Sequence, residues 1–509
     1  MKVCFVYGAH ENLGIEYLSS VLKQAGHQVQ LAFDPLLFND AYINVPFLKG
    51  FFGYRQKLLD EIFSGEPDLI AFSVVTDDFQ WACQIALDIK KVRKDIPIVF
   101  GGIHPTSLPE YVIQQPFEPI VCIGEGEFPL LDLVTGLEKN GGIENCLDIQ
   151  NFWFKWKGEI IKNAVRPLIQ DLDILPFADK EIFYEKTLYF SKIYTVMTAR
   201  GCPYKCSYCC NDVISSIYKG KGKILRQRSV DNVLNELVEM KTKWNYKSVS
   251  FYDDTFAFNK NWLGKFCSEY KKRIDLPFRC IIHPKFVDEY RIALLKKAGC
   301  VNLELGIQSI SEPSRHKILD RHESNSEIKK ALTLLKEAGI GFSVDHILGI
   351  PYENEQDQIE AVKFYNELRP DLIDTFWMTY YPRTKIVDIA LQAGILSEGE
   401  KNKIEAGLGT SHAYAGKRKN EKSLIPFQFL FGYLPFIPTH LVYYILKKKW
   451  YRFFTINSLF LSTVLPRFIR AFFWNDYNAR NQMKRNYYLL IYFLKKRFSE
   501  INVKDKKRV

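Results

Sequence analysis

Ala199-Arg-Gly-Cys202-Pro-Tyr-Lys-Cys206-Ser-Tyr-Cys209 is the stretch on which the reading of this chain turns. Its three thiols stand at the spacing C-x₃-C-x₂-C. Three cysteines on one short loop can each take one iron of a [4Fe–4S] cube, which leaves the fourth iron without a protein ligand. An iron with an open position binds and reduces a further molecule. Zinc is the alternative, but a structural zinc site wants four ligands, often as two separated pairs. Cys210 is the spare thiol nearby, and adjacent residues rarely both reach one tetrahedral ion.

Outward from that loop the pattern is strand and helix in turn. Tyr194–Ala199 is a strand that feeds the cysteines. Downstream, Ser248–Tyr252, Phe278–Ile282, Asn302–Leu305, Gly341–Leu348 and Asp374–Met378 are apolar or alternating runs with helical periods between them, such as Asp288–Lys297 and Ser326–Ala338. Residues 188–395 therefore form a second α/β unit. Residues 1–135 form the first. Lys2–Tyr7, His27–Ala32, Asp68–Ser73, Ile96–Phe100 and Val121–Gly124 read as buried parallel strands of a doubly wound domain. Its ligand loops lie at strand carboxyl ends: Gly8–Asn12, Ser73–Thr76, Gly101–Thr106 and Gly124–Glu127. Residues 136–187 read as a connector, with a small hairpin strand at Asn151–Trp156.

The cysteine loop, with Tyr208 as the aromatic before its last thiol, resembles the signature of the radical S-adenosylmethionine (SAM) enzymes. The strand-and-helix recurrence then matches a partial (β/α)₆ barrel, the core of that family. The resemblance implies that Cys202, Cys206 and Cys209 hold the cluster and that the open iron chelates SAM. Asp253 and Asp254, ending the second barrel strand, become candidates for the methionyl amine, since a carboxylate suits an ammonium group; an N-cap is the plainer role for one of them. Gly306-Ile-Gln308-Ser309 resembles the ribose-binding run of the family. Gly349-Ile-Pro-Tyr-Glu353 resembles the segment that packs on adenine. Arg321 is a further cofactor candidate from an otherwise charged loop that reads as solvated.

The first domain resembles the cobalamin-binding domain of the B12-dependent subgroup. On that resemblance Gly8, Ser73, Thr76, Gly101, Gly102, His104, Gly124, Glu125, Gly126 and Glu127 are candidate corrin contacts. The D-x-H-x-x-G run of cobalamin mutases is missing, so no histidine is expected below the cobalt. A domain that has lost B12 and serves as a scaffold is the alternative.

The chain has 509 residues, with a net charge of +11. Residues 421–509 carry 17 Lys/Arg and 4 Asp/Glu, so the first 420 residues sum to −2. That balance argues against a nucleic-acid groove over the enzyme body. Eleven cysteines without disulfide-like spacing, and no secretory signal, suggest a reducing cytoplasm. Residues 396–509 read as a helical, aromatic and basic extension. Leu424–Leu446 holds no charge, yet three prolines and a glycine interrupt it, so a straight span is not expected. Lys447–Arg452, Arg467–Trp474 and Lys495–Phe498 mix bases with aromatics, which suits peripheral contact with the inner face of a membrane through 424–509. A helical cap on the barrel is the competing reading.

These expectations add up to an enzyme that cleaves SAM to a 5′-deoxyadenosyl radical, with a flavodoxin or ferredoxin type electron donor. Cobalamin-dependent methylation of a hydrophobic substrate, a lipid or tetrapyrrole, comes first. Radical cyclisation, tRNA methylthiolation and a non-catalytic adaptor are the alternatives. No nucleic-acid partner is expected.

Overall fold

The computed structural model describes residues 1–37, 53–187, 190–408, 421–454, 460–473, 484 and 487–495. The contacts divide it into two compact units. One comprises Met1–Arg166, Leu175–Lys192 and Phe468–Val509, the other Pro167–Ile174 and Ile193–Arg467.

The first unit is built on β1 (Lys2–Gly8), β2 (Gln28–Asp34), β3 (Leu69–Ser73), β4 (Ile98–Gly101), β5 (Ile120–Cys122), β6 (Phe152–Trp156) and β7 (Glu159–Lys162). Their order in the sheet is β2-β1-β3-β4-β5-β6-β7. The first five are parallel, and Val3–Val6, Leu69–Phe72 and Ile98–Phe100 are all buried, as strands covered on both faces must be. The hairpin β6–β7 adds antiparallel to β5, so residues 136–166 belong to this sheet rather than to a free linker.

Helix Leu13–Gln24 starts where Asn12 accepts from the Ile15 amide, and it buries Glu16 completely. Lys180 answers that carboxylate: its Nζ lies 2.6 Å from Glu16 Oε2 and 2.7 Å from Glu11 Oε1. From the extension, Tyr492 packs on Phe33 at 5.8 Å and Phe493 on Tyr54 at 6.2 Å between ring centres.

The second unit contains β8 (Ile193–Val196), β9 (Ala199–Arg200), β10 (Arg226–Gln227), β11 (Ser248–Phe251), β12 (Phe278–Ile282), β13 (Cys300–Gln308), β14 (Gly341–Leu348) and β15 (Leu372–Trp377). β9 and β10 form a short antiparallel pair. The rest make one parallel sheet in the order β15-β14-β13-β12-β11-β8, the six-stranded partial barrel. Period-two alternation sorts its side chains. Val249, Phe251, Phe278, Cys280, Leu303, Leu305, Phe342 and Val344 join the helices in the outer core. Ser250, Tyr252, Arg279, Glu304, Gly306, Gln308, Asp345 and Asp374 take the opposite, concave face. Sequence alternation thus gives the barrel a polar interior.

Much of the uncharged run of the extension is core, while Leu441, Tyr443 and Tyr444 are exposed. Helix Ile425–Tyr433 and helix Thr439–Lys447 bury Leu424, Phe427, Leu430, Phe431, Leu434, Val442, Ile445 and Leu446 in the same cluster as the barrel strands. Trp377 Nε1 donates to Gln428 Oε1 at 3.1 Å, and Arg369 reaches the Ile437 carbonyl at 2.8 Å. The prolines end these helices early, and among the described residues no helix is long and apolar enough to cross a membrane. Trp474 and Lys496–Phe498 of the basic-aromatic runs lie outside the described residues.

His346 lies at the centre of this packing, bonded through Nε2 to Gln358 Oε1 at 2.9 Å and through Nδ1 to the Tyr365 hydroxyl at 3.1 Å. Burial lowers its pKa to about 4. The folded chain keeps it neutral while the unfolded chain protonates it near its usual value. The stability it contributes is therefore whole above about pH 6.5 and lost as pH falls towards 4, a change of about 3 kcal/mol at most. In urea titrations, the stability advantage of wild type over His346→Gln should shrink across that window. Lys180→Met leaves Glu16 a buried carboxylate without its cation, and should cost about 3–5 kcal/mol in the same measurement.

Candidate functional site

Asp253 fixes the approach to the cysteine loop. It is buried at the end of β11, and its Oδ1 accepts the Thr198 amide at 2.7 Å and the Ala199 amide at 2.6 Å. Its Oδ2 takes the Thr198 hydroxyl at 2.9 Å. Burial raises its pKa to about 7 against the pull of those bonds. The loop beyond is tied on two sides. The Ser207 amide donates to the Leu319 carbonyl at 3.1 Å, and the Ile386 amide donates to the Ser207 carbonyl at 3.0 Å.

Cys202, Cys206 and Cys209 are electrostatic neighbours on this loop, and Asp254 acts on Cys202 and Cys209. Burial pushes the Cys202 thiol up to about 12 and raises Cys206, which the Arg321 guanidinium opposes. Among the described residues no three Cys, His, Asp or Glu side chains converge on a single ion position. A cubane does not ask for that, because each thiolate takes its own iron. Cys210 begins the helix Cys210–Ile217 and hydrogen-bonds Cys209. Three soft, grouped donors on a braced loop fit a [4Fe–4S] cluster.

Arg321 joins the loop to the strand beside it. Its Nη1 lies 3.8 Å from Cys206 Sγ, its Nη2 donates to the Gly306 carbonyl at 2.5 Å, and its Nε to Glu323 Oε1 at 2.7 Å. It also bonds the Tyr208 phenol. Gly306 and Gln308 follow one another along the concave face of β13, and the half-buried Gln308 amide makes no hydrogen bond among the described residues. A Cβ on Gly306 would stand 2.7 Å from Gln308 Nε2. Asp345, beside Gly306 in the register, has a buried Oδ1 with no hydrogen-bond partner among the described residues. The free Gln308 amide and the orphan Asp345 oxygen suit the hydroxyls of a sugar. Asp254, to which Asn211 donates, suits an ammonium group beside the thiols. SAM presents both kinds of group, so these residues fit it.

Three expectations change. Asp253 is saturated by the strand before the cysteines, so it is a positioning residue and has nothing left for an amine. Ser309 is buried, and its hydroxyl donates to Glu353, which holds the turn after β13 to the segment after β14. It does not face the cavity. Arg315, read as solvated, is fully buried and binds the carbonyls of Ser309 at 2.5 Å and Glu323 at 3.0 Å. Gly349 faces Glu421 and Trp377 of its own unit. Asp345 and Glu323 were not singled out from the sequence. Their signal was there: an acidic residue at a concave position of a strand, and one two places from the candidate arginine.

In the first unit the loops at the carboxyl ends of β3, β4 and β5 make a half-exposed shelf of Ser73, Gly101, Gly102, Gly124, Glu125 and Gly126. Gly102 has φ +97°, and a Cβ there would sit 2.7 Å from the Val74 amide nitrogen. Glycine is thus required where the turn closes on β3. The Thr106 hydroxyl holds the Gly124 amide at 2.9 Å. A shelf of backbone and small side chains fits a broad flat ligand such as a corrin.

Other candidates there serve packing. Gly8 is close-packed against Leu36 and the Asp34 carbonyl. His104 is fully buried, stacked on Phe79 at 4.2 Å, with Nδ1 3.2 Å from the buried Thr76 hydroxyl. Burial lowers its pKa to about 4. Its ring, and Thr76 with it, are not presented on the shelf. Glu127 is buried at the head of helix Glu127–Asn140.

Comparison with known proteins agrees with this geometry. Residues 5–134 match the B12 binding domain family and residues 196–365 the radical SAM superfamily. An uncharacterized methyltransferase of Pyrococcus horikoshii is 25% identical over 391 residues, covering 75% of this chain and 79% of the relative. The anaerobic magnesium-protoporphyrin IX monomethyl ester cyclase of Rubrivivax gelatinosus is 24% identical over 406 residues, covering 75% and 68%. The solved structure of the cobalamin-dependent SAM radical enzyme OxsB, with aqua-cobalamin and SAM bound, shares the fold. Its TM-score is 0.65 at 16% identity, covering 100% of this chain and 80% of that one. The chain therefore carries a B12-binding domain followed by a radical SAM domain.

Asp253→Ala removes three hydrogen bonds to an ionisable acceptor and should cost at least about 3 kcal/mol of stability. Iron bound after anaerobic reconstitution should fall with it. Asp254→Ala should leave the iron content unchanged and weaken SAM binding about tenfold or more, measured by equilibrium dialysis.

Proposed function

We propose that this radical SAM enzyme transfers a methyl group to an unactivated carbon of a small organic substrate, using cobalamin. The observation that carries the reading is the meeting of the three-thiol loop with Asp254, Gln308, Asp345 and Arg321 in one barrel. It is supported by the glycine shelf of a B12-type domain in the same chain and by the methyltransferase relative. When bound, the cluster and SAM supply a hydrogen-abstracting radical and cobalamin supplies the methyl group.

The protein's part is placement. Cys202, Cys206 and Cys209 would hold the cluster. Asp254 would take the methionyl ammonium of SAM, and Gln308 with Asp345 would take its ribose hydroxyls. Arg321 fixes Cys206 to the Gly306 carbonyl, so the cluster loop and the ribose strand move as one body. Buried Tyr380, Ile347 and Met378 keep water from the sides of the site.

The substrate reading is narrower than a hydrocarbon. Arg279 lies on the concave face, its Nη2 2.7 Å from the Tyr252 hydroxyl and its Nη1 3.3 Å from Glu304. Tyr252 is 48% exposed there. A lipid with a polar end, or a tetrapyrrole with its carboxylates, suits such a wall better than a bare chain. Cyclisation is the second reading, favoured by similarity to the anaerobic cyclase.

Purified anaerobically and given SAM, cobalamin and dithionite, the wild type should form 5′-deoxyadenosine. Cys206→Ala should lose it by more than about a thousandfold, since an unligated iron cannot be offset by binding elsewhere. With methyl-labelled SAM, label in product and S-adenosylhomocysteine in the mixture support methylation. An unlabelled, dehydrogenated product with no S-adenosylhomocysteine supports the cyclase.

A further inference from the structure

The extension holds a surface that neither the fold nor the chemistry uses. Helix Thr439–Lys447 turns Val442, Ile445 and Leu446 into the barrel core and Tyr443 and Tyr444 outward, at 45% and 44% exposure. Lys449, with φ +54°, ends the helix and turns the chain so that Trp450 comes back beside Tyr444, ring to ring at 5.1 Å and 90°. Phe453, three residues further along, is 79% exposed.

This surface is held rigidly from beneath. Tyr451 is buried, and its hydroxyl donates to Glu355 Oε1 at 2.5 Å, while Arg452 reaches the same carboxylate at 2.9 Å. Lys447, Lys448 and Lys449 are exposed between the aromatic residues. No acidic residue occurs from Lys422 to Phe454, so this stretch itself contributes only positive charge, Arg452 being paired with Glu355.

We infer that this face, Tyr443–Phe453, seats the enzyme on the surface of an anionic lipid bilayer. Charge chooses an anionic partner, and an almost fully exposed phenyl ring chooses one with an apolar interior. Lysines whose stems run beside aromatic residues can leave their ammonium groups among headgroups while the rings enter the boundary below. Single-stranded nucleic acid, which also favours cations with aromatics, needs open ring faces for stacking. Here Lys448 lies over the Tyr444 ring at 6.0 Å and Trp450 meets it at right angles, so Tyr444 offers no open face, and the oligonucleotide arm of the test below covers the other rings. The contact is much smaller than the whole extension: Leu424–Leu434 is buried on the barrel and has nothing to offer a membrane.

Flotation of the full-length protein decides it, with phosphatidylcholine vesicles containing phosphatidylglycerol set against phosphatidylcholine alone. Wild type should float with the anionic vesicles and stay behind with the neutral ones. Lys447→Glu with Lys448→Glu and Lys449→Glu should lower the partition about a hundredfold. Trp450→Ser with Phe453→Ser should remove the binding that survives raised salt. Because all five side chains are exposed, thermal midpoint and 5′-deoxyadenosine formation should match wild type in both variants, which separates this inference from the assignment of the reaction. Wild type that fails to float overturns it. So does flotation that neither variant alters, binding of a single-stranded oligonucleotide in place of vesicles, or self-association through this face that the same substitutions abolish.

Discussion

The grip of Asp253 on the Thr198 and Ala199 amides is the constraint on which the reactive centre depends. A loop carrying three thiols has no secondary structure of its own to fix it. The protein solves this by ending β11 in a carboxylate and spending both oxygens on the strand that enters the loop. Beyond the loop, Ser207 is held between Leu319 and Ile386, and Arg321 links Cys206 to Gly306. The cysteines are thus braced from β8, β11, β13 and the last barrel helix. Ligands for a cluster must be set before the metal arrives, because no single thiol can impose the geometry.

The same economy explains the concave wall. A parallel barrel buries one set of alternate residues under helices, and the other set is free for chemistry. β13 spends its outer positions on Leu303, Leu305 and Ile307 and its inner ones on Glu304, Gly306 and Gln308. An orphan carboxylate oxygen on Asp345 is costly in a folded chain. Its place beside Gly306 gives that cost a purpose, since an incoming hydroxyl would satisfy it. The first domain follows another rule: at its strand ends backbone and small side chains prevail, as a broad ligand requires.

Where sequence reading went astray, burial was the cause. Asp253 and Asp254 are indistinguishable as letters, and only the turn after β11 sends one inward to amides and the other towards the thiols. His104 looked like a shelf residue because its neighbours are glycines, yet the short helix after Gly102 rotates it under Phe79. Arg315 sat in a loop rich in charge, which usually means water. It is buried, because the carbonyls of Ser309 and Glu323 fold around it as acceptors. The uncharged run at Leu424–Leu446 had the hydropathy of a membrane segment. Its prolines divide it into short helices that bury one side against the barrel and leave Tyr443 and Tyr444 facing outward.

By itself the sequence determined the two α/β units and their order, and it singled out the three thiols and the pair Gly306 and Gln308 as candidates. These rest on local spacing and on strand periodicity, which are properties of neighbouring residues. Only the tertiary structure decided which carboxylate pins the loop and which stands near the thiols. It also set Asp345 beside Gly306, tied the candidate Arg321 to Cys206 and Gly306, and buried His104 and Ser309. The reason is physical: a polar side chain is defined by the partners that satisfy it, and those partners lie tens of residues away.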